Sequence, residues 1–226
     1  MKNRMAKTGA IIVGAGSSRR MGRDKVFMSL AGKPLLAWSV DACQSCKLVD
    51  RIVIVLNEAK LDLGRGLVKD RRWSKVVEVC AGGRRRQDSV RQGLNELDDC
   101  DWVIIHDGAR PFLSEDLIGD GLEAAQATGA AVAAVPIKDT VKLGGSDMIV
   151  SRTLNRQELW AVQTPQIFRF DIIAEAHEQV KEDVTDDASM VEHLGHKVRL
   201  YMGSYNNIKI TTPEDLSLAE LIAGRR

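Results

Sequence analysis

Short apolar runs rich in β-branched residues alternate with longer amphipathic segments along the first 136 residues of this chain. Apolar runs with little polar alternation are typical of parallel strands that are buried on both faces of a sheet. The intervening helical patterns lie near residues 34–46, 58–71, 88–97 and 114–128. The runs themselves cover residues 10–13, 51–56, 76–79, 102–105 and 130–135. This order predicts an α/β fold with a mostly parallel sheet and helices on both faces.

One segment interrupts this alternation. Residues 140–143 and 148–154 have strand patterns on either side of a Gly-rich turn, which predicts a β-hairpin. The hairpin is either an ordinary edge element or an arm, at about residues 137–156, that projects and joins two subunits. Helical patterns near 170–181 and 186–194, a strand near 198–202 and a helix from 212 follow. Without a linker or repeat, residues 1–226 are expected to form a single domain.

Charge is unevenly distributed along the chain. The chain has 32 Lys and Arg residues and 31 Asp and Glu residues, a net charge of +1, which argues against nucleic acid or a membrane surface as partner. Residues 1–33 nevertheless contain eight basic residues and a single acid. The first apolar run is too short for a signal peptide or a membrane span, and the cysteines lack metal-site spacing. We therefore expect a cytoplasmic protein with free thiols.

Many of the early cations follow the first predicted strand, in the loop of residues 14–25. The loop begins with small residues that allow backbone amides to approach an anion. It matches neither a dinucleotide fingerprint, because Arg19 replaces the third Gly, nor a P-loop, because Met21 interrupts it. Ligands of open α/β sheets bind beyond the carboxyl ends of the strands. A phosphate-rich ligand therefore explains the loop better than solvation alone.

Two later loops follow strands in the same way. Residues 81–89 again join small residues to arginines, and at least one of the arginines is expected to be solvated. Asp107 ends another strand, where it either forms a turn or holds Mg²⁺ together with phosphate oxygens. His106, next to a buried strand, is expected to be a structural hydrogen-bond donor rather than a catalyst.

The ordered motifs of residues 14–25, 82–90, 106–111, 138–142, 156–168, 185–189 and 207–216 resemble those of the 2-C-methyl-D-erythritol 4-phosphate cytidylyltransferase family. The resemblance covers about residues 8–222. It implies a Rossmann-like fold of the nucleotide-diphospho-sugar transferase type, the substrates CTP and a polyol phosphate, a divalent cation such as Mg²⁺, and a homodimer. Three positions depart from the family pattern: Ser18, Arg84 and Asn206.

The resemblance also implies a role for individual residues. Arg20, Lys25 and Lys209 correspond to the catalytic cations, and Asp107 to the metal and substrate neighbourhood. In the family, Thr140 and Arg156 lie on or beside an arm lent by the partner subunit. The positions that correspond to the CTP site are Val13, Gly14, Ala15, Gly16, Ser17, Gly82, Gly83, Ser89, Asp107 and Gly108. Those that correspond to the polyol phosphate pocket are Asp107, Arg110, Thr140, Arg156, Thr164, Thr185 and Lys209.

Two other functions compete with this interpretation. A ribitol 5-phosphate cytidylyltransferase shares the motifs at 163–166 and 207–211, but the motifs at 156–160 and 185–189 favour the methylerythritol enzyme. A nucleotide-binding regulator without catalysis is the second rival. The joint presence of Arg20, Lys25, Asp107 and Lys209 argues against it, because binding alone does not require the full set of charged residues.

Overall fold

The computed structural model describes residues 6–16 and 25–225, and this part of the chain has the predicted α/β fold. In chain order, its strands are β1 (Thr8–Gly14), β2 (Ser29–Leu30), β3 (Lys33–Pro34), β4 (Arg51–Leu56), β5 (Val76–Ala81), β6 (Trp102–Asp107), β7 (Ala130–Pro136), β8 (Lys142–Gly144), β9 (Val150–Thr153), β10 (Trp160–Arg169) and β11 (Arg199–Met202). The helices are α1 (Leu35–Ser45), α2 (Leu61–Arg71), α3 (Arg86–Asn95), α4 (Glu115–Gln126), α5 (Phe170–Gln179), α6 (Asp187–His193) and α7 (Pro213–Ala223).

In the described residues, the main sheet has seven strands in the order β11-β7-β10-β6-β1-β4-β5. Strand β10 runs antiparallel to β6 and β7, and all other neighbouring strands are parallel. The prediction of a mostly parallel sheet is confirmed. Because β1, β4, β5 and β6 are mutually parallel neighbours, their carboxyl ends lie along one edge, where the loops that follow them meet.

The sheet has a hydrophobic core on each face. Ile12 of β1 belongs to a buried cluster with Leu36 of α1 and Ile118 of α4. Its neighbour Ile11 belongs to a second cluster with Val90 of α3, and residues of α5 and α6 pack there as well. Successive side chains of a strand point to opposite faces, so the uninterrupted apolar runs supply both cores. The predicted helices on both faces are confirmed.

Strand β10 of the main sheet is not predicted by the apolar pattern, and neither are the short strands β2 and β3. The middle of β10 is polar, yet Gln163, Thr164 and Gln166 are buried. Gln163 Nε2 donates to the carbonyl of Ser204 at 2.9 Å, and Gln166 Nε2 donates to Asp186 at 2.8 Å. These hydrogen bonds satisfy side chains that would otherwise be costly to bury. The pairing register of β10 with β7 also shifts between Val162 and Gln166.

The predicted hairpin is present as β8 and β9, which pair with each other as a separate two-stranded sheet. Every residue of both strands is exposed. The turn between them exposes apolar side chains, including Met148 at 89% and Ile149 at 67%. The role of the hairpin as an arm that joins two subunits stays a prediction.

The described residues contain no helix that is both long and apolar enough to cross a bilayer. Cys43, Cys46, Cys80 and Cys100 are free thiols, as predicted. Cys43 lies on the buried face of α1, and burial raises the pKa of its thiol to about 12.

Candidate active site

A cleft of about 390 Å³ opens at the carboxyl ends of β1, β5 and β6, and we call it the first cleft. The end of β1 and its loop contribute Val13, Gly14, Ala15 and Gly16 to its wall. Lys25 begins the short 3-10 turn Lys25–Phe27 on the far side of that loop and also lines the cleft. Small residues and a cation therefore line the same cleft. Ser17 and Arg20, together with the rest of residues 17–24, lie outside the described residues.

The loop between β5 and α3 forms the opposite wall of the first cleft. Its residues Gly83 and Ser89 line the cleft, and the Gly83 backbone N–H donates to Ser89 Oγ at 3.1 Å. Gly82 lies behind them, where a Cβ atom would be 2.4 Å from that of Ala15. Since such an approach is impossible for a larger residue, Gly82 is required for the close packing of the two loops.

A cleft of about 450 Å³, the second cleft, lies on the other side of β6 and is lined mainly by β10 and the segment that leads into α6. Arg110, Thr164 and Thr185, three of the residues assigned to the polyol phosphate pocket, line it. The two clefts have a common wall, which consists of Arg86, Asp107 and Lys209. A ligand in either cleft therefore lies next to the same charged side chains.

Asp107 is the anion in the common wall. Lys209 Nζ lies 2.8 Å from its Oδ2, Arg86 Nε donates to its Oδ1 at 3.3 Å, and Arg110 Nε lies 3.6 Å from Oδ2. Burial by itself would raise the pKa of this carboxyl group. The attraction of Arg86, followed by those of Lys209 and Arg110, outweighs burial and holds the pKa of Asp107 well below its ordinary value. Asp107 is therefore ionised at neutral pH.

His106 has the structural role that the sequence predicts. It is fully buried, and its Nε2 atom lies 3.0 Å from the carbonyl oxygen of Arg110. Since that oxygen can only accept, Nε2 carries the hydrogen and Nδ1 accepts from Thr164 Oγ1 at 3.1 Å. Thr164 Oγ1 in turn accepts from the backbone N–H of Asp107 at 3.0 Å. Burial lowers the pKa of His106 to about 4, so the ring is neutral.

Lys209 reaches the common wall from the loop after β11. Asn207, two residues earlier, is buried and donates from Nδ2 to the carbonyl of Thr164 at 2.7 Å. The backbone carbonyl of Asn207 accepts a hydrogen bond from Arg110 Nη1 at 2.8 Å. These bonds attach the loop to β10 and to the end of β6, and they thereby hold Lys209 beside Asp107. Asn206, by contrast, is exposed.

Some residues assigned from the sequence lie away from both clefts. Gly108 is buried, and its N–H donates to the carbonyl of Val13 at 2.8 Å, so it supports the wall from behind. Thr140 is exposed next to the hairpin. Arg156 is exposed as well and donates from Nη1 to the carbonyl of Lys138 at 2.8 Å. The structure does not bring Thr140 and Arg156 into this chain's own clefts.

Sequence reasoning missed the part played by Arg86 and Asp187. Both belong to motifs that carry the family resemblance, but neither was given a role. Arg86 is one of three consecutive arginines, and residue order alone does not say which of them faces the site. Arg85 pairs with Asp88 and Asp183, whereas Arg86 pairs with Asp107 and Asp187. The signal that could have separated them is the position of Arg86 as the first residue of α3.

Known proteins have the same fold and much of the same sequence. The family model described as "IspD: 2-C-methyl-D-erythritol 4-phosphate cytidylyltransferase" matches residues 8–225. A relative with that enzyme name from Dehalococcoides mccartyi (strain CBDB1) is 52% identical, over 96% of this chain and 96% of its own.

Solved structures agree with the sequence relatives. The 4-diphosphocytidyl-2C-methyl-D-erythritol synthase of Anaerococcus prevotii DSM 20548 superposes with a TM-score of 0.87 and 33% identity, covering 97% of each chain. The 2-C-methyl-D-erythritol 4-phosphate cytidylyltransferase of Thermus thermophilus gives a TM-score of 0.77 and 32% identity, covering 95% of this chain and 98% of its own. On the family match, the sequence identity and the shared fold together, the chain belongs to the 2-C-methyl-D-erythritol 4-phosphate cytidylyltransferase family, whose members are nucleotidyltransferases.

Proposed function

We infer that this chain transfers the cytidylyl group of CTP to 2-C-methyl-D-erythritol 4-phosphate. The products are 4-diphosphocytidyl-2-C-methyl-D-erythritol and pyrophosphate, and the step belongs to non-mevalonate isoprenoid biosynthesis. Family membership supports the identity of the substrates. The observation that carries the inference is the common wall of Arg86, Asp107 and Lys209, because it lets two bound substrates meet at one charged boundary.

CTP is assigned to the first cleft. Gly14, Ala15 and Gly16 line this cleft, and such small residues suit the triphosphate because they let a phosphate approach the backbone closely. Ser17 is assigned to the triphosphate from the family motif alone. Gly83 and Ser89 are assigned to cytosine and its neighbourhood, with Gly82 allowing their loop to approach Ala15. Lys25 lines the same cleft and supplies positive charge. Arg20 is assigned to the triphosphate from the family motif alone.

The polyol phosphate is assigned to the second cleft. Thr164 and Thr185 offer hydroxyl groups there, and Arg110 contributes positive charge. The Arg110 side chain is only 12% exposed and is held by Asn207, so its orientation is fixed before a ligand arrives. Thr140 and Arg156 are assigned to the same pocket of the partner subunit in a homodimer.

The chemistry requires positioning and charge stabilisation rather than a protein nucleophile. An oxygen of the acceptor phosphate attacks the α-phosphorus of CTP, and the bond from that phosphorus to the bridging oxygen breaks. Pyrophosphate leaves with the bonding electron pair. The acceptor phosphate is already ionised at neutral pH, so no general base is needed. Lys25, Lys209 and Arg20 would stabilise the negative charge that builds up around the α-phosphorus.

Asp107 is the residue that would hold Mg²⁺. The described residues contain no group of three or more His, Cys, Asp and Glu side chains suited to a metal. One carboxylate fits Mg²⁺ only where phosphate oxygens and water complete the coordination, which is how this ion usually binds beside nucleotides. Asp107 is ionised and lines both clefts, where the phosphates of the two proposed substrates would lie, and this supports the assignment. Bound there, Mg²⁺ would neutralise phosphate charge and orient the triphosphate.

The hairpin is proposed as the dimer contact. Its exposed apolar side chains, among them Leu143, Met148 and Ile149, form a surface of the kind that subunit interfaces cover. A dimer built on this surface would also bring Thr140 and Arg156 to a partner.

A cytoplasmic location is proposed from the cysteines. Four free thiols, three of them buried, suit a reducing compartment.

A pyrophosphate-release assay tests the function. The chain is incubated with CTP and Mg²⁺, and with either 2-C-methyl-D-erythritol 4-phosphate or ribitol 5-phosphate. We expect turnover with the methylerythritol substrate at a kcat/KM at least about a hundredfold above that with ribitol phosphate. Exclusive turnover of ribitol phosphate would identify the rival enzyme. CTP binding without turnover of either acceptor would identify the non-catalytic regulator.

A further inference from the structure

Asp187, the first residue of α6, is a buried carboxylate that lies behind the common wall rather than in either cleft. Its Oδ2 atom accepts a hydrogen bond from Arg86 Nη1. Its Oδ1 atom lies 3.3 Å from Nε2 of His177, a buried residue of α5. Through Arg86, Asp187 is thus one side chain away from Asp107 and from both substrate sites.

Arg86 connects two carboxylates on different elements. Its Nε donates to Asp107, at the end of β6, while its Nη1 donates to Asp187. Burial alone would lower the pKa of Arg86, but attraction to Asp187, and then to Asp107, raises the pKa above its ordinary value. Arg86 Nη1 lies 2.5 Å from Asp187 Oδ2 and Arg86 Nε lies 3.3 Å from Asp107 Oδ1, so Asp187 makes the closer of the two contacts with the guanidinium group.

The planar guanidinium group is suited to this double contact. Its N–H groups point in fixed directions, so holding one of them on Asp187 determines where the others can donate. Arg86 then uses Oδ1 of Asp107, while Lys209 lies against Oδ2. If Arg86 were free to turn, it could take both oxygens of Asp107 and displace Lys209.

We propose that Asp187 is a positioning residue, which holds Arg86 so that Asp107 keeps one oxygen for Lys209 at the boundary between the two clefts. This inference rests on the proposed function. Asp187 touches neither substrate and acts only through Arg86, so its effect on turnover depends on the geometry of that arginine.

A neighbouring ion pair provides a matched control. Arg85 Nη1 donates to Asp183 at 2.8 Å, so this pair also joins the start of α3 to the segment before α6. The Asp183 side chain is 81% exposed, and it lines neither cleft. Asp183→Asn therefore breaks a similar ion pair between the same two segments. It removes no residue of the common wall and no partner of Arg86.

The experiment compares Asp187→Asn, Asp183→Asn, Arg86→Lys and the double variant Arg86→Lys/Asp187→Asn in the pyrophosphate-release assay, with the fold checked by circular dichroism and thermal melting. We expect Asp187→Asn to lower kcat at least about tenfold, because a mispositioned charge contact weakens transition-state stabilisation. Arg86→Lys keeps the charge but loses the planar fork, and it should lower kcat by a similar factor. Asp183→Asn should remain within about twofold of the original chain.

The double variant separates positioning from general stability. If Asp187 acts through Arg86, adding Asp187→Asn to Arg86→Lys changes kcat less than about twofold, since residues of one network are not additive. If the loss of kcat in the double variant equals the product of the losses in the two single variants, the proposal is overturned. An unchanged kcat in Asp187→Asn would also overturn it. If Asp187→Asn does not fold, Arg86→Lys decides alone, and its near-normal kcat would refute the proposal. An inactive original chain would instead refute the proposed function.

Discussion

Lys209 Nζ lies 2.8 Å from Oδ2 of Asp107, although the Asp107 side chain is almost completely buried and that of Lys209 is 38% exposed. The difference in exposure gives the two partners different freedom. The carboxylate is fixed by its buried surroundings, whereas a long, partly solvated ammonium group can turn towards an incoming phosphate. The contact thus keeps a cation at the boundary between the clefts before substrates bind.

Replacing Lys209 by glutamine should therefore impair the reaction more than the binding of CTP. We expect Lys209→Gln to lower kcat about a hundredfold, the usual loss when one charge-stabilising group is removed. The measurement is pyrophosphate release at saturating concentrations of both substrates. Lys197→Gln is the control, because Lys197 is exposed and lines neither cleft. A kcat within threefold of the original value would remove Lys209 from the mechanism.

Lys25, which also lines the first cleft, provides a second test of charge stabilisation. Lys25→Ala should also lower kcat by about a hundredfold or more, because the side chain lines the proposed triphosphate site. Lys69→Ala, which removes an exposed lysine of α2, serves as the control. If only the KM for CTP rises while kcat is kept, Lys25 contributes to ground-state binding and not to the transition state.

His106 should make the folded state sensitive to mild acid. Its pKa is about 4 in the folded state, against an ordinary value of 6.5, because burial disfavours the charged ring. As the pH falls below 6.5, the unfolded chain takes up this proton and the folded chain does not. Because only the unfolded chain binds this proton, lowering the pH from 7 to 5 should reduce the free energy of unfolding by about 2 kcal/mol through this group alone.

Urea denaturation at pH 7 and pH 5 measures this effect. His106→Gln, which cannot titrate, should lose about 2 kcal/mol less than the original chain over the same interval. Asp107 and Asp187 titrate below their ordinary values, so their contributions are lost at lower pH and do not interfere. Equal losses in both proteins would show that His106 does not govern acid sensitivity.

The exposed hairpin leads to a prediction about the oligomeric state. Ile149→Asp should convert the expected homodimer to a monomer, because it places a charge in an apolar contact. It should also reduce turnover, since Thr140 and Arg156 would no longer reach a partner. Light scattering after size exclusion gives the mass. Leu63→Asp is the matched control, because Leu63 of α2 is similarly exposed, at 54% against 67%. An Ile149→Asp variant that stays dimeric would place the interface elsewhere.

The sequence predicts the parallel part of the fold because buried strands have a local signature. Ile11 and Ile12 point to opposite cores, so both must be apolar whatever lies elsewhere in the chain. Strand β10 has no such signature, because Gln163 and Gln166 are satisfied by Ser204 and Asp186, which are distant in the sequence. Pairwise hydrogen bonds of this kind are invisible to periodicity.

The candidate site, like the fold, has a part that the sequence predicts and a part that it does not. Loops that follow strands were predictable from strand order, and Lys25, Ser89 and Asp107 do line one cleft. The partners of individual arginines were not predictable, because Arg85 and Arg86 differ only in the direction that α3 gives them. Each arginine has one carboxylate partner near position 185, Asp183 for Arg85 and Asp187 for Arg86, and only folding brings that segment alongside.

The two clefts are lined by different stretches of the sequence. Apart from the common wall, the first cleft is lined from residues 13–109, and the second mostly from residues 162–192. With CTP in the first cleft and the polyol phosphate in the second, as proposed, substitutions in the later segment would alter the preferred acceptor and leave the nucleotide site intact. Nucleotide choice and acceptor choice would then be set by separate stretches of the chain, and each could be re-engineered while the other is kept.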